Sequence, residues 1–475
     1  MATLRVTPRP AESSAPHGTE QLSPPESLAG PADIADTLRQ PPAIAAPRAL
    51  QVLRLNQRQI EFVFHARREL GEVFYMKAGG KGGAVVTCHP DHVRSLFTAK
   101  PEHVPSLTAE SPLRPIVGRD SVLTANGPRH LRQRRLLLPP FHGEAIARYV
   151  EMIRECTERE IDSWPPMRPF ALAPRMQAIT LDVIMSGIFG IDGRPARGSA
   201  EHRLRNTIRY LAAISASRLG DAGELMNFAR EEPVGILRGL IAILDRATYP
   251  IIAKRRRAEN LAERSDILSL LLSATTEDGE QLTDKELRDE LLTLVLAGFE
   301  TTAHSLAWTW ERLLRNPDAH DTLREAVRTG EKADEVIEAT ITEGMRSRPV
   351  IPLIGRRVAV PWRLGDYVLP AGTAIGVSIL LLHHREDLYE RPFEFRPERW
   401  ADRKPGTYEW IPFGGGTRRC LGAQLAMAEQ RVVLATMARR LDLIADRPEP
   451  EHAQHHNVTM IPRRGARALL RARRP

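Results

Sequence analysis

The sequence predicts a single large domain that is mainly α with a smaller β part, and three observations carry that expectation. Apolar residues recur at helical spacing through Ile146–Ala274 and again from Asp284 onward, whereas extended, β-branched runs are confined to residues near 73 to 88 and 350 to 380. At 475 residues and 42% hydrophobic content the chain can bury a sizeable core. The first 45 residues stand apart: eight prolines and no Phe, Trp or Tyr cannot bury enough apolar surface to fold alone. Residues 1–45 are therefore expected to form a disordered tail, and residues 46–475 the domain.

Several function classes fall away on composition. No apolar run reaches the roughly 18 residues a membrane span needs; Leu237–Leu244 and Leu291–Phe299 are too short. Met1-Ala2-Thr3-Leu4-Arg5 leads into Pro, Ser and Glu, which argues against a secretory signal. Cys88, Cys156 and Cys420 are far apart and make neither a disulfide framework nor a CxxC pair, so a reducing cytoplasm is expected. The net charge of +8 comes from arginines scattered along helical stretches without aromatic platforms, which argues against nucleic acid. The positive surface is either simply solvated or receives an acidic electron-transfer protein on the Cys420 side.

In chain order, an amphipathic helix around Ile60–Leu70 leads into a hairpin of Val73–Met76 and Ala84–Thr87 about the turn Gly79–Gly83. Pro101, Pro105, Pro112 and Pro115 mark a long loop to Ala125. The next helix opens at Gly127-Pro128 and carries His130 and Arg134 four apart, on one face. Pro165-Pro166, Gly190–Gly193, Gly220 and Pro233 break the helical stretch that follows. Thr283-Asp284-Lys285-Glu286 reads as a capping box opening a helix that runs to about Arg315. Inside it, Ala297-Gly298-Phe299-Glu300-Thr301-Thr302 is a costly choice for a buried helix, since Gly costs about 1 kcal/mol against Ala and the β-branched pair adds to that. An acid beside a hydroxyl at a loosened position suits proton transfer; a kink with threonines bonding back to carbonyls is the structural alternative. Glu343 and Arg346 lie one turn apart, and Pro349–Gly355 is apolar and extended, followed by Arg356 and the strand Val368–Gly372. His383-His384 and His455-His456 have no partners at metal-site spacing and read as solvated turns.

The stretch with the sharpest chemistry is Phe413-Gly414-Gly415-Gly416-Thr417-Arg418-Arg419-Cys420-Leu421-Gly422, directly before a helix running to about Arg440. Unpaired N–H groups at a helix start favour thiolate over thiol. Glycine would admit a bulky flat partner, and Arg418 offers a cation to an anionic group on it. One metal-bound thiolate fits this better than a disulfide; an inert buried cysteine is the plain alternative. Asn457–Ile461 closes the chain's pattern as a β-turn region.

The spacing Phe413, Gly416, Arg418, Cys420, Gly422 resembles the haem-binding loop of the cytochrome P450 superfamily, and the other segments follow in that family's order over roughly residues 41 to 472. The resemblance implies a bacterial-type haem-thiolate monooxygenase of secondary metabolism, acting as a monomer in the cytoplasm. Its fold would enclose haem b (iron protoporphyrin IX), with Cys420 as the axial ligand on iron. His130 and Arg134 would bind one propionate and Arg356 the other, with Arg357 as the neighbouring alternative. Ala297, Phe413, Gly414, Arg418 and Gly422 would complete the haem contacts. Glu300 and Thr301 would be the acid and alcohol that pass protons to dioxygen, where peroxide-using members carry Arg and Pro. Glu343, Arg346 and Arg399 would form a structural triad beneath the loop. Phe299, Val350, Ile351, Leu353 and Val458 would line the pocket for an apolar substrate (terpenoid, fatty acid or polyketide-like), roofed by helices within residues 201 to 249. The sequence holds no flavin or nicotinamide segment, so electrons would come from a separate ferredoxin and ferredoxin reductase. Two rivals keep the haem: a ligand-binding or sensor protein without turnover, and an isomerase or dehydratase.

Overall fold

The computed structural model describes residues 29–32, 40–78, 82–111, 113–141, 143–191, 195–215, 226, 227, 230, 232–275 and 279–474. Its strands are β1 (Ala29–Pro31), β2 (Val73–Met76), β3 (Ala84–Thr87), β4 (Pro169–Ala171), β5 (Leu353–Arg357), β6 (Trp362–Leu364), β7 (Tyr367–Leu369), β8 (Ala374–Ser378), β9 (Leu441–Ala445), β10 (Ala453–His456), β11 (Thr459–Pro462) and β12 (Arg467–Arg473). The helices that matter for the site are α1 (Arg48–Leu70), α2 (Pro90–Thr98), α3 (Gly127–Leu137), α4 (Glu144–Ile161), α5 (Leu172–Phe189), α6 (Ala200–Ser215), α7 (Gly235–Arg256), α8 (Asp284–Leu313), α9 (Ala333–Ser347) and α10 (Ala423–Arg440).

Helices dominate, as the periodicity predicts, and the main core lies where α4, α5, α8 and α10 pack, through Ile153, Met176, Ile184, Leu291, Ala303 and Val433. A second core lies under the mixed sheet β2-β3-β8-β5, with Phe74, Val85, Ile375 and Val377 inside. β3 runs parallel to β8 and antiparallel to β2, which pairs both of its edges, and all four of its residues are buried. Residues 79–81 of the expected hairpin turn, Pro112, Gly193 and Gly220 lie outside the described residues. The β part extends beyond the expected segments: β4, β12 and β9 form one further sheet and β10–β11 a hairpin.

The tail needs a correction. Ala29–Pro31 pairs antiparallel with Trp362–Leu364, and Ile44 donates to Tyr75 O at 3.0 Å while Tyr75 donates to Pro42 O at 2.8 Å. A short segment needs no core of its own when an existing strand edge offers partners for its N–H and C=O groups, and composition does not report that offer. Residues 1–28 and 33–39 lie outside the described residues. Among the described residues no helix is long and apolar enough to cross a membrane.

Two elements set up the site. Thr283 caps α8 with the expected reciprocal pair of bonds to Glu286, and the helix then runs unbroken for 30 residues. α10 starts three residues after Cys420, which places the loop of Phe413–Gly422 at its N-terminus.

Candidate functional site

The cysteine loop folds back on itself: Cys420 N–H donates to Phe413 O and Gly414 N–H to Ile411 O, both at 2.9 Å. Gly416 has φ +63°, and a Cβ there would stand 2.1 Å from the Phe97 carbonyl oxygen. At Gly415 it would stand 2.2 Å from the Phe97 ring. These two glycines thus let the loop press against the end of α2, a use the sequence reading did not foresee. Gly422 differs, because a Cβ there would meet nothing within 4 Å, leaving room for a flat partner. Cys420 has accessible surface and yet is surrounded by protein, so its sulfur opens onto interior space. Burial pushes its thiol up, against the Gly422 N–H and the Arg134 and Arg419 guanidinium groups. That departs from the expectation that the helix start alone would ionise the sulfur: desolvation outweighs it, and a cation bound directly to sulfur is what makes the thiolate stable.

Around this loop the chain gathers basic groups. His130 on α3 is buried, and burial, Arg418, Arg134 and Arg356 together lower its pKa to about 4. Arg356 on β5 is 4% exposed, lies 5.4 Å over the Phe97 ring, and is lowered to about 10 by burial. Arg418 reaches Val122 O at 3.2 Å, and also Ala125 O and Asn126 Oδ1. Burial, then Arg356 and Arg134, bring it to about 10 as well. Among the described residues none of His130, Arg134, Arg356 and Arg418 has a carboxylate partner. Arg357, the neighbouring alternative, forms an exposed ion pair, its Nη2 2.9 Å from Glu110 Oε1. A partner that is flat, cationic at its centre beside a thiolate, and dianionic at its edge meets these groups. Iron protoporphyrin IX with its two propionates has that chemistry, and the donor set fits it.

The wall supplied by α8 has two sides. Ala297 is exposed in the middle of an otherwise buried helix, and Leu294 and Thr301, at helical spacing from it, are partly open. Thr301 Oγ1 donates to Ala297 O at 2.6 Å. Gly298 does not loosen the helix; a Cβ there would lie 2.5 Å from Ile184 Cδ1, so glycine permits α5 and α8 to approach. Phe299 is a correction: it is 2% exposed within the main core, and its carbonyl accepts from Thr180 Oγ1 at 2.8 Å, so it does not line the open side. Val350, Ile351, Leu353 and Val458 are all partly open, Val458 at the tip of the β10–β11 hairpin beside Asn457 at φ 52°. Glu300 Oε1 lies 3.7 Å from His456 Nε2 and 3.9 Å from His304 Nε2, and burial pushes its carboxyl up to about 7.

The histidine pairs are not solvated turns. His383 and His384 are 0% and 2% exposed, His383 Nε2 accepting the Ile411 N–H at 2.9 Å and His384 Nδ1 lying 2.8 Å from Leu380 O. His455 and His456 are partly buried on β10. His456 and His304 are site residues that the sequence reading missed. His304 carried a signal, since it sits one turn from Glu300; His456 is near only through the fold.

Glu343 and Arg346, both 0% exposed, form a two-point ion pair with N–O distances of 2.8 Å. Arg399 Nε reaches Glu343 Oε1 at 3.2 Å, and the Trp400 indole, which the sequence reading did not single out, donates to Oε2 at 3.0 Å. Arg346 also donates to the carbonyls of His383, Pro392 and Glu394.

Comparison with known proteins gives the family and the fold. A family model described as Cytochrome P450 matches residues 40–468. The Mycobacterium tuberculosis protein carrying the name cytochrome P450 137 is 37% identical over 463 residues, covering 92% of this chain and 93% of its own. The Mycobacterium bovis protein named cytochrome P450 138 is 36% identical over 437 residues, covering 92% and 97%. In fold, the chain is similar to retinoic acid-bound cyanobacterial CYP120A1, with TM-score 0.75, 20% identity and coverage of 92% and 100%. It is also similar to the cytochrome P450DA heme domain, with TM-score 0.77, 23% identity and coverage of 92% and 99%.

Proposed function

The chain belongs to the cytochrome P450 family, whose members hold haem b through a thiolate, and on that premise we propose that it hydroxylates or epoxidises an apolar small molecule. Family membership implies a haem monooxygenase; the substrate class and the electron source are our reading. Bound in the cradle, haem supplies the iron chemistry that activates dioxygen. Cys420 would hold the iron, and His130, Arg134, Arg356 and Arg418 would hold the propionates. Ala297, Phe413, Gly414 and Gly422 would complete the contacts with the ring.

The observation that carries the reading is the Glu300 carboxyl, raised to about 7 by burial, next to Thr301 on the accessible stripe of α8. A group that changes protonation near neutral pH can both take a proton from the surroundings and give it up to dioxygen chemistry, and the hydroxyl of Thr301 can pass it across the stripe. Val350, Ile351, Leu353 and Val458 present an apolar wall, which suits a terpenoid, fatty acid or polyketide-like substrate. Electrons come from a separate ferredoxin and ferredoxin reductase.

Screening a lipid and terpenoid set for the Soret change that accompanies substrate binding identifies a ligand. With that ligand, NADH consumed, oxygen consumed and hydroxylated product formed are then measured in the presence of ferredoxin and its reductase. Equal amounts support the monooxygenase. Product without oxygen uptake replaces it with an isomerase or dehydratase, and tight ligand binding without product replaces it with a sensor.

A further inference from the structure

We infer that Glu300 has two positioning residues, His456 at the β10–β11 hairpin and His304 one turn further along α8, which hold its carboxyl and keep it supplied with a proton. The inference rests on the reading of Glu300 as a proton carrier and adds where the proton comes from. Two imidazole Nε2 atoms converge on one carboxylate oxygen, at 3.7 Å for His456 and 3.9 Å for His304. Those separations are longer than a direct hydrogen bond and keep both imidazoles within the range at which a neighbouring polar group affects a buried carboxyl.

The Thr301 hydroxyl donates to Ala297 O and not to the Glu300 carboxyl. Among the described residues, then, the groups turned to Glu300 are imidazoles. His304 is 5% exposed, its Nδ1 has no partner among the described residues, and its Nε2 lies 3.5 Å from the Gln177 amide on α5. Burial, with His456, holds His304 far down at about 3, so it stays neutral, with one nitrogen as donor and the other as acceptor. That state can relay a proton and cannot store one. His456 reaches the cluster from a different element, with the Asn457 amide 3.2 Å from its Nε2. The charged and titratable groups facing Glu300 are thus His304 from its own helix and His456 from the hairpin, while α5 contributes only uncharged Gln177. Because Val458 lies two residues beyond His456, displacement of the hairpin would change the distance from His456 to Glu300.

The test reads Glu300 directly. Infrared difference spectra of the haem-loaded ferric chain, wild type minus Glu300→Gln, isolate its carboxyl band, which is followed through neutral pH. The expected wild-type midpoint is about 7. The Asn457 amide donates to His456 Nε2, so this nitrogen faces Glu300 as an acceptor for its carboxyl proton; replacing His456 by Phe removes that acceptor and is expected to move the midpoint down by about one pH unit. His456→Gln keeps an acceptor in its amide oxygen and should move it less, while lowering product formed per NADH because an amide cannot relay. Where the Phe variant loses haem, His304→Gln takes its place, read the same way. Midpoints unchanged in the histidine variants that retain haem overturn the inference. Failure of the monooxygenase reading would instead show as absent product with the infrared shift intact.

Discussion

Arginine is buried at two places in this molecule under opposite conditions. Arg346 has no exposed surface, and its donors meet both oxygens of Glu343 and three backbone carbonyls. Arg356 and Arg418 are also shielded, yet they meet carbonyls, an amide and an aromatic ring, and their pKa values sink to about 10. A buried cation matched by acids of its own chain is scaffold. A buried cluster that the chain leaves unmatched is a binding site for an anion from outside. The contrast separates what would hold the fold from what would hold the cofactor.

The scaffold should break first and hardest. Glu343→Gln strips the partner from Arg346, Arg399 and the Trp400 indole at once, and is expected to cost about 3–5 kcal/mol in denaturant unfolding. A loss below about 1 kcal/mol would put the pair in the same class as surface ion pairs and dissolve the contrast. Arg356→Met should behave in the opposite sense. Haem affinity is expected to fall about 10- to 100-fold, measured by competition with a second haem-binding protein, since a charge-assisted bond is lost. The haem-free chain should unfold no more easily than wild type, because an unmatched buried charge has been removed. If Arg356→Met destabilises the haem-free chain as Glu343→Gln does, the cradle is scaffold too.

Thr301→Ala carries the contrast to the accessible stripe of α8, where a side chain serves neither folding nor cofactor binding. The carbon monoxide spectrum and unfolding midpoint should stay as in wild type. Product per NADH is expected to fall on the order of tenfold, with the electrons recovered as hydrogen peroxide. Unchanged coupling would remove Thr301 from the proton path.

What the sequence made legible in all this was local. The Cys420 loop, the Thr283 capping box and the Glu343/Arg346 pair depend on spacing within one segment, and spacing is what a sequence prints. Arg356 and Arg357 could not be told apart because neighbours on a strand point to opposite faces, and only the pairing of β5 with β8 says which face is buried. Phe299 failed for a related reason: two residues on from Ala297 is a turn of about 200° around the helix, which sends one to the open side and the other to the core. His383, His384 and His456 were misread because polarity suggests solvent while burial is decided by elements distant in sequence. The edge strand at Ala29–Pro31 was hidden because its partner, not its composition, orders it.

The smallest expected effect tests the cradle through protons. His130 titrates at about 4 in the folded chain against an ordinary 6.5, lowered by burial and by three arginines. Below 6.5 the unfolded chain takes up the proton first, so stability is lost as pH falls toward 4, by about 1 kcal/mol at mildly acid pH. Buried His92 and His383 share that sign, at about 4 and about 3, so the slope belongs to His130 only as the difference between wild type and His130→Asn. With haem loaded, two propionates beside the imidazole favour its charged form, and that difference should shrink or change sign. Acid unfolding of both proteins, with and without haem, measures it. The Glu343 network contains its own acid, and no added anion should alter its response; a haem-independent difference at His130 would place that imidazole with the scaffold instead.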